Sequence, residues 1–312
     1  MCAANGPDVM ERNADEACLL TLERFSGQEQ GRRVMHIGQI WRYPVKSMIG
    51  ETVACATYDD LGMLGDRRWA TRDQQRGDIR GAKHLGGLMR FVAASVGDGN
   101  DAVITLPDGS SVLTCDPDVD ERISAALNHP VLLQHLRPSA DLDHYRRGPS
   151  VGDPMANLRA VFDREEGEPV PDLSSFPPVI MEFATPPGSY VDVHPLMIMT
   201  TSALRSLQES VPNSVVDVRR FRPSLIIDTG DEPGHPEFTW VGRQLHVGEA
   251  VFEVLAPCPR CVMVTRAVDD TIPQDRTILR HIVKELDQNV GVYARVAKGA
   301  TIALDEAVVL SS

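Results

Sequence analysis

The sequence predicts a mainly β protein with a few helices, an α+β chain divided into two modules. Gly and Pro are frequent (24 and 22 residues) and aromatics make up only 5%, a balance that favours short strands with tight connections over a helical bundle. Apolar and polar residues alternate in several short runs, the signature of half-buried strands. A chain of 312 residues with 42% hydrophobic content can also bury the core of one large domain or of two ordinary ones.

Residues 1–34 contain Asp8, Glu11, Asp15, Glu16, Glu23 and Glu29 and lack the apolar centre of a signal peptide. They read as a disordered tail. Residues 36–43 alternate as a strand until Pro44 removes a ladder donor. The loop 44–51 then carries Lys46 and Ser47 on a connection, where binding residues are often placed. A second strand is expected at 52–58 and a third at 66–73, the latter opening with Arg67 and Arg68 pointing to opposite faces. Pro107-Asp108-Gly109-Ser110 joins strands 102–106 and 111–114 as a hairpin, since Gly tolerates the positive φ such turns need. A helix at 119–127 and a strand at 131–136 complete a first module, residues 35–160.

The acidic, Pro-rich stretch 161–185 is the expected linker to the second module, 186–312. There a short buried strand at 196–199 feeds Thr200, Thr201 and Ser202 at the start of a helix over 203–209, a natural anion site. Strands at 215–218 and 224–227 flank the basic corner Arg219-Arg220-Phe221-Arg222-Pro223. Strands at 251–255 and 262–268 flank a cysteine turn, followed by a helix at 277–286 and strands at 290–296 and 301–309.

The net charge of −13 argues against a nucleic-acid partner, which needs a broad basic face. No apolar run approaches the ~20 residues that span a bilayer, so a cytoplasmic protein without membrane insertion is expected. Within this acidic balance the local cations Lys46, Arg67, Arg68, Arg219, Arg220 and Arg222 stand out as candidates for binding an anion.

Of six cysteines, only Cys258 and Cys261 are spaced as a motif. The C-x-x-C pair has four readings. Zinc wants four ligands and no second pair exists. A redox dithiol expects a helix N-terminus, whereas Pro259 and β-branched residues follow here. Two buried small hydrophobes are the plain alternative. A single thiolate on a soft or highly charged metal centre requires nearby cations and an anionic cofactor pocket. Asp269 and Asp270 read as a polar strand exit more readily than as proton carriers, and His194, His235 and His281 are assigned no role.

Four motifs together resemble one family. Pro44-Val45-Lys46-Ser47, Asp66-Arg67-Arg68-Trp69, Phe221-Arg222-Pro223 and Cys258-Pro259-Arg260-Cys261-Val262 are similar, in order and spacing, to the signatures of MOSC-domain proteins with an additional N-terminal β-barrel domain. That group includes the mitochondrial amidoxime reducing component and bacterial relatives that detoxify N-hydroxylated bases. The resemblance runs over residues 35–310 and implies an N-terminal β-barrel-like domain followed by a MOSC β-barrel. It implies a molybdenum cofactor (molybdenum bound to molybdopterin), with Cys261 as the metal ligand and catalytic centre. Lys46, Ser47, Arg67 and Arg222 would hold the pterin and its phosphate, joined by Thr200, Thr201 and Ser202, with Arg68 and Arg220 as further candidates. If alternation holds, one arginine of each pair faces the cofactor. The implied activity is reduction of N-hydroxylated or related N-oxygenated small molecules, with electrons from a separate ferredoxin-, flavodoxin- or cytochrome-type protein. The alternative is a non-catalytic cofactor or sulfur carrier. Pyridoxal phosphate is not expected, because no desulfurase domain fits in the chain.

Overall fold

The computed structural model describes residues 35–97, 99–149, 151–174 and 176–311. The expected tail at 1–34 lies outside them. The first half runs β1 (Met35–Arg42), β2 (Glu51–Val53), β3 (Cys55–Asp59), β4 (Gly62–Met63), β5 (Trp69–Asp73), β6 (Val92–Val96), β7 (Asp101–Thr105), β8 (Ser111–Leu113), α1 (Val119–Leu127) and β9 (Val131–His135). Helices α2 (Leu142–Tyr145), α3 (Pro154–Phe162) and α4 (Val179–Glu182) follow. The second half runs β10 (Leu196–Thr200), α5 (Thr201–Ser210), α6 (Val218–Phe221), β11 (Leu225–Asp228), β12 (Gln244–Val247), β13 (Ala250–Pro259), α7 (Thr277–Glu285), β14 (Asn289–Lys298), β15 (Thr301–Ala303) and β16 (Ala307–Ser311). The protein is thus mainly β with a few helices, as the sequence predicts.

Seven strands close into a barrel in the order β11-β10-β14-β13-β12-β16-β1, with β1 returning to β11 and β2 added outside β1. The closing contact is antiparallel, with Ile37 opposite Ile227 and Ile40 opposite Leu225. Period-2 alternation, broken in β1 by a register shift between Ile37 and Gln39, sends Ile37, Ile40, Ile198, Leu225, Ile227, Leu245, Phe252, Val254 and Val292 into one buried core. The β10 segment is buried throughout. Ile198 belongs to the barrel core, whereas Met197 and Met199 pack with Leu207 of α5 and Leu279 and Ile282 of α7. A second core gathers Met48, Ile49, Phe91, Ile104, Val112, Ile123 and Val131 under β6-β7-β8 and α1. Strand pairing crosses the expected module boundary. A first-module strand completes the second-module barrel, and β15 pairs with β3.

Three expected strands take other forms. Residues 215–217 have no strand, because Asp217 accepts from the Arg219 amide (2.8 Å) and starts the one-turn α6. Residues 262–265 form a 3-10 turn in place of a strand, closed by Thr265 Oγ1 donating to the Val262 carbonyl (2.8 Å). Residues 66–68 form a turn, and β5 starts only at Trp69, because Arg67 adopts a left-handed backbone (φ 48°) that a strand cannot contain. The single strand expected at 301–309 is divided into β15 and β16 by Asp305 (φ 64°).

Candidate functional site

The site grows from the chain turning off β1. Pro44 ends the ladder, and the following loop docks onto the end of β5, where the Lys46 amide donates to the Trp69 carbonyl (2.8 Å) and the Trp69 amide to that of Pro44 (3.0 Å). The Tyr43 amide donates to Asp66 (2.7 Å) and the Arg67 amide to the Tyr43 carbonyl (2.8 Å), so the 66–68 turn is fixed against the loop. The Arg67 guanidinium pairs with the Asp66 carboxylate. Tyr43 is fully buried and its hydroxyl donates to the Pro223 carbonyl (2.8 Å). The Arg222 guanidinium lies over its ring at 4.2 Å and that of Arg67 at 5.5 Å. Such stacking suits the planar, weakly hydrated guanidinium.

Ser47, Arg67 and Arg222 all carry positive φ (69°, 48° and 58°). For non-glycine residues this conformation costs about 1–2 kcal/mol each, and such strain clusters at functional sites. Gly81 belongs to the same construction. A Cβ there would come within 2.3 Å of Ser47 Oγ, so only glycine leaves that hydroxyl its place.

Lys46 is 7% exposed, and its ammonium donates to the Tyr190 carbonyl (2.8 Å) and to Asp192 (2.5 Å). The other Asp192 oxygen pairs with Lys83 (2.9 Å). Burial pulls Lys46 down to about 8, with Asp192 opposing the shift. Burial also opposes ionisation of Asp192, yet the two lysines hold it well below the usual carboxylate range. Lys83 connects this bridge to the cysteine turn, because the charges of Asp192 and Cys261 together raise it against burial.

β13 carries the chain directly into Cys258 and Pro259. Cys258 is 3% exposed and accepts from Arg260 Nη1 (3.1 Å), while Arg260 Nη2 donates to the Phe221 carbonyl (2.7 Å). Burial pushes the Tyr293 hydroxyl up, with the neighbouring Cys258 adding to the shift. Cys261 is only partly buried and caps the 262–265 turn, within the electrostatic reach of Lys83, Arg164 and Arg260. The two cysteines therefore differ in kind: one is buried and accepts a hydrogen bond from an arginine, and the other is half-buried among cations.

Lys46, Ser47, Arg67, Arg222 and Cys261 thus share one region, linked through Tyr43, Asp192 and Lys83. The other candidates do not join them. Thr200, Thr201 and Ser202 do start a helix, but Thr200 Oγ1 donates to buried Glu237 (2.8 Å), Thr201 Oγ1 to Asp228 (3.1 Å), and Ser202 shares a hydrogen bond with Thr229 (2.6 Å). β10 and β11 are parallel. Asp192 and Arg222 precede their first residues, whereas the three hydroxyls sit about 13 Å away at the far end. Arg220 is buried with its guanidinium donating to the carbonyls of Val215, Val264, Arg266 and Pro273. It braces the back of the cysteine turn. The charge of Arg68 is felt by His135, the edge-on neighbour of Trp69. Within each pair the two arginines have different surroundings, Arg67 and Arg222 lying over Tyr43 while Arg68 and Arg220 lie elsewhere, and turn geometry rather than strand alternation separates them. Asp269 accepts from Arg219 (2.8 Å) and from the Thr271 amide (2.8 Å), as a polar exit should.

Tyr43, Lys83, Arg164, Tyr190 and Asp192 escaped the sequence reading. Lys83 had a signal in the basic run Arg80-Gly81-Ala82-Lys83-His84, but Asp192 had none.

Among the described residues no group of three or more His, Cys, Asp or Glu side chains could hold a metal ion. A metal on Cys261 would take its remaining ligands from a cofactor or water, so the donor set does not suit structural zinc. An anionic cofactor does suit the pocket. Arg222 is 7% exposed and its Nη1 has no hydrogen-bond partner, which leaves a buried donor free for an acceptor. Among the described residues no helix is long and apolar enough to cross a membrane.

The MOSC N-terminal beta barrel domain matches residues 34–131 and the MOSC domain residues 187–309. The chain is 24% identical over 252 residues to human mitochondrial amidoxime-reducing component 1, covering 75% of this chain and 67% of that protein. It is likewise 24% identical over 257 residues to bovine mitochondrial amidoxime reducing component 2, covering 75% and 68%. Among solved structures, the YuaD protein of Bacillus subtilis aligns over 89% of this chain and 97% of its own at 9% identity, with a TM-score of 0.42. With both domains matched in order along one chain, this protein belongs to the MOSC-domain family and carries the MOSC N-terminal β-barrel domain ahead of its MOSC domain.

Proposed function

We propose that the protein binds a molybdenum–pterin cofactor with Cys261 as its metal ligand and reduces N-hydroxylated small molecules. The observation that carries the reading is a partly exposed thiol among cations together with a buried, unpartnered Nη1 on Arg222, in a chain of net charge −13. The two mitochondrial relatives are named for amidoxime reduction, which supports the substrate class.

Arg222 and Arg67 would hold the phosphate, since a guanidinium offers forked donors and keeps its charge. The Ser47 hydroxyl and the Lys46 ammonium would complete the cradle. Asp192 keeps Lys46 oriented and compensates part of its desolvation. When bound, the cofactor supplies a metal able to accept oxygen and to cycle by two electrons. Lys83, Arg164 and Arg260 place positive charge around Cys261. Overall, the N–O bond breaks, and two electrons and two protons convert the N-hydroxyl compound to the amine-level product and water. The electrons come from a separate donor protein.

The test is expression in a host that makes molybdenum cofactor, with molybdenum and pterin measured per chain for wild type and Cys261→Ser. Metal in the wild type and its loss in the variant are expected. Absence of molybdenum from the wild type, or equal amounts in both, overturns the reading. Reduction of benzamidoxime with a chemical reductant then separates enzyme from carrier, and a loaded protein that never turns over is a carrier.

A further inference from the structure

Residues 132–186 are matched by neither domain of the family, yet they reach the cysteine turn. Asp153 caps α3 by accepting from the Ala156 amide (2.8 Å), and the helix ends at Asp163 in a left-handed turn (φ 51°). From there an acidic strap lies along α7. Asp163 accepts from Arg276 Nε and Nη2 (both 2.9 Å), and Glu168 pairs with Arg280. These ion pairs are at or near the surface, and their role is to hold the strap in place.

Arg164 is the residue that the strap delivers. It is 7% exposed, and its guanidinium is spent on backbone and amide oxygens: Nε on Pro169 O (3.0 Å), Nη1 on Phe162 O (2.5 Å), and Nη2 on Gln288 Oε1 (3.0 Å) and Arg260 O (3.3 Å). Gln288 in turn accepts the Arg260 amide on its carbonyl (2.8 Å), from a left-handed backbone (φ 70°). Residue 260 is thus held on both sides, its N–H by Gln288 and its C=O by Arg164. Because a peptide unit is planar, fixing the Arg260 carbonyl also fixes the nitrogen and Cα of Cys261, the atoms from which its side chain is built.

We infer that Arg164 is a positioning residue for Cys261, supplied by a segment outside the family's two domains and acting through Gln288 and the 260–261 peptide. The inference rests on Cys261 being the functional thiolate. A lysine cannot replace the fork, because one ammonium cannot reach four oxygens set around a plane.

The test uses Arg164→Gln, Arg164→Lys and Gln288→Ala in the full chain, prepared with and without the cofactor pathway. Hydrogen exchange is followed at residues 260–265, with β6, β7 and β8 as the internal reference. All three variants should exchange about 5–30-fold faster at 260–265, as expected for losing one or two buried hydrogen bonds, with the reference strands unchanged. Molybdenum and pterin per chain should fall severalfold. Wild-type exchange at 260–265 in the Arg164 variants overturns the proposal. So does full restoration by lysine, or acceleration spread equally over the reference strands. Faster local exchange with no molybdenum even in the wild type leaves the positioning role standing and removes the cofactor reading instead.

Discussion

Asp192→Asn removes the one carboxylate that bridges Lys46 and Lys83. It leaves a buried ammonium facing a second cation. An ion pair near 3–4 Å is worth roughly 4 kcal/mol at an effective dielectric of about 20. The Asp192 side chain is 38% exposed, so solvent screening reduces that figure. About 2 kcal/mol remains, which corresponds to a melting temperature lower by about 3 °C in a chain of this size. Thermal unfolding followed by circular dichroism reads the effect. The double variant Asp192→Asn/Lys46→Met should recover about half, since it removes the stranded charge along with its partner. A single variant that melts within about 1 °C of wild type, or a double variant whose losses simply add, would refute the claim that Asp192 compensates buried Lys46.

Three further outcomes follow from the same geometry. Lys46 titrates near 8 in the folded chain against an ordinary 10.5, so its charge is lost as pH rises through about 8. Phosphate affinity of the cofactor-free protein, measured by calorimetry at about pH 7 and about pH 9, should fall across that interval, and a flat profile would argue against Lys46 as an anion ligand. Between about 8 and 10.5 the unfolded chain holds the extra proton, so this group's contribution to stability increases with pH there. Arg222→Lys keeps a charge but loses the planar contact with Tyr43 and the forked donors, and should lower pterin content severalfold with little change in fold by circular dichroism; wild-type pterin content would remove Arg222 from the cradle. Gly50→Ala would place a Cβ 2.0 Å from the Arg42 carbonyl oxygen, which belongs to the β1–β2 ladder and cannot retreat. Denaturant unfolding should show destabilisation of about 3 kcal/mol, and a loss below about 1 kcal/mol would contradict the contact.

How much was legible in the sequence depended on how far apart the cooperating residues lie. The hairpin at 101–113 and the helix at 119–127 are written in adjacent residues, and both formed where local chemistry put them. Residues 262–265 were harder. Val-Met-Val-Thr has strand propensity, but Thr265 Oγ1 closes it into a 3-10 turn by donating to the Val262 carbonyl. Arg67 and Arg222 were singled out by type and motif, yet their left-handed backbones became visible only in three dimensions.

By itself the sequence determined that the protein is mainly β and that Cys258 and Cys261 are spaced as a pair, and the likeness of its motifs to the MOSC signatures nominated Lys46, Ser47, Arg67, Arg68, Thr200, Thr201, Ser202, Arg220 and Arg222. Those are properties of short motifs and periodicity, which depend on neighbours along the chain. The tertiary structure alone decided that β1 closes the second-module barrel and that Thr200, Thr201 and Ser202 turn to Glu237, Asp228 and Thr229. It also decided that Asp192, Lys83 and Arg164 converge on the site from three separate stretches of chain. The physical reason is long-range closure: Lys46 meets Asp192 across 146 positions and Arg164 meets Gln288 across 124. Such contacts form only once barrel burial has offset the entropy of bringing the segments together.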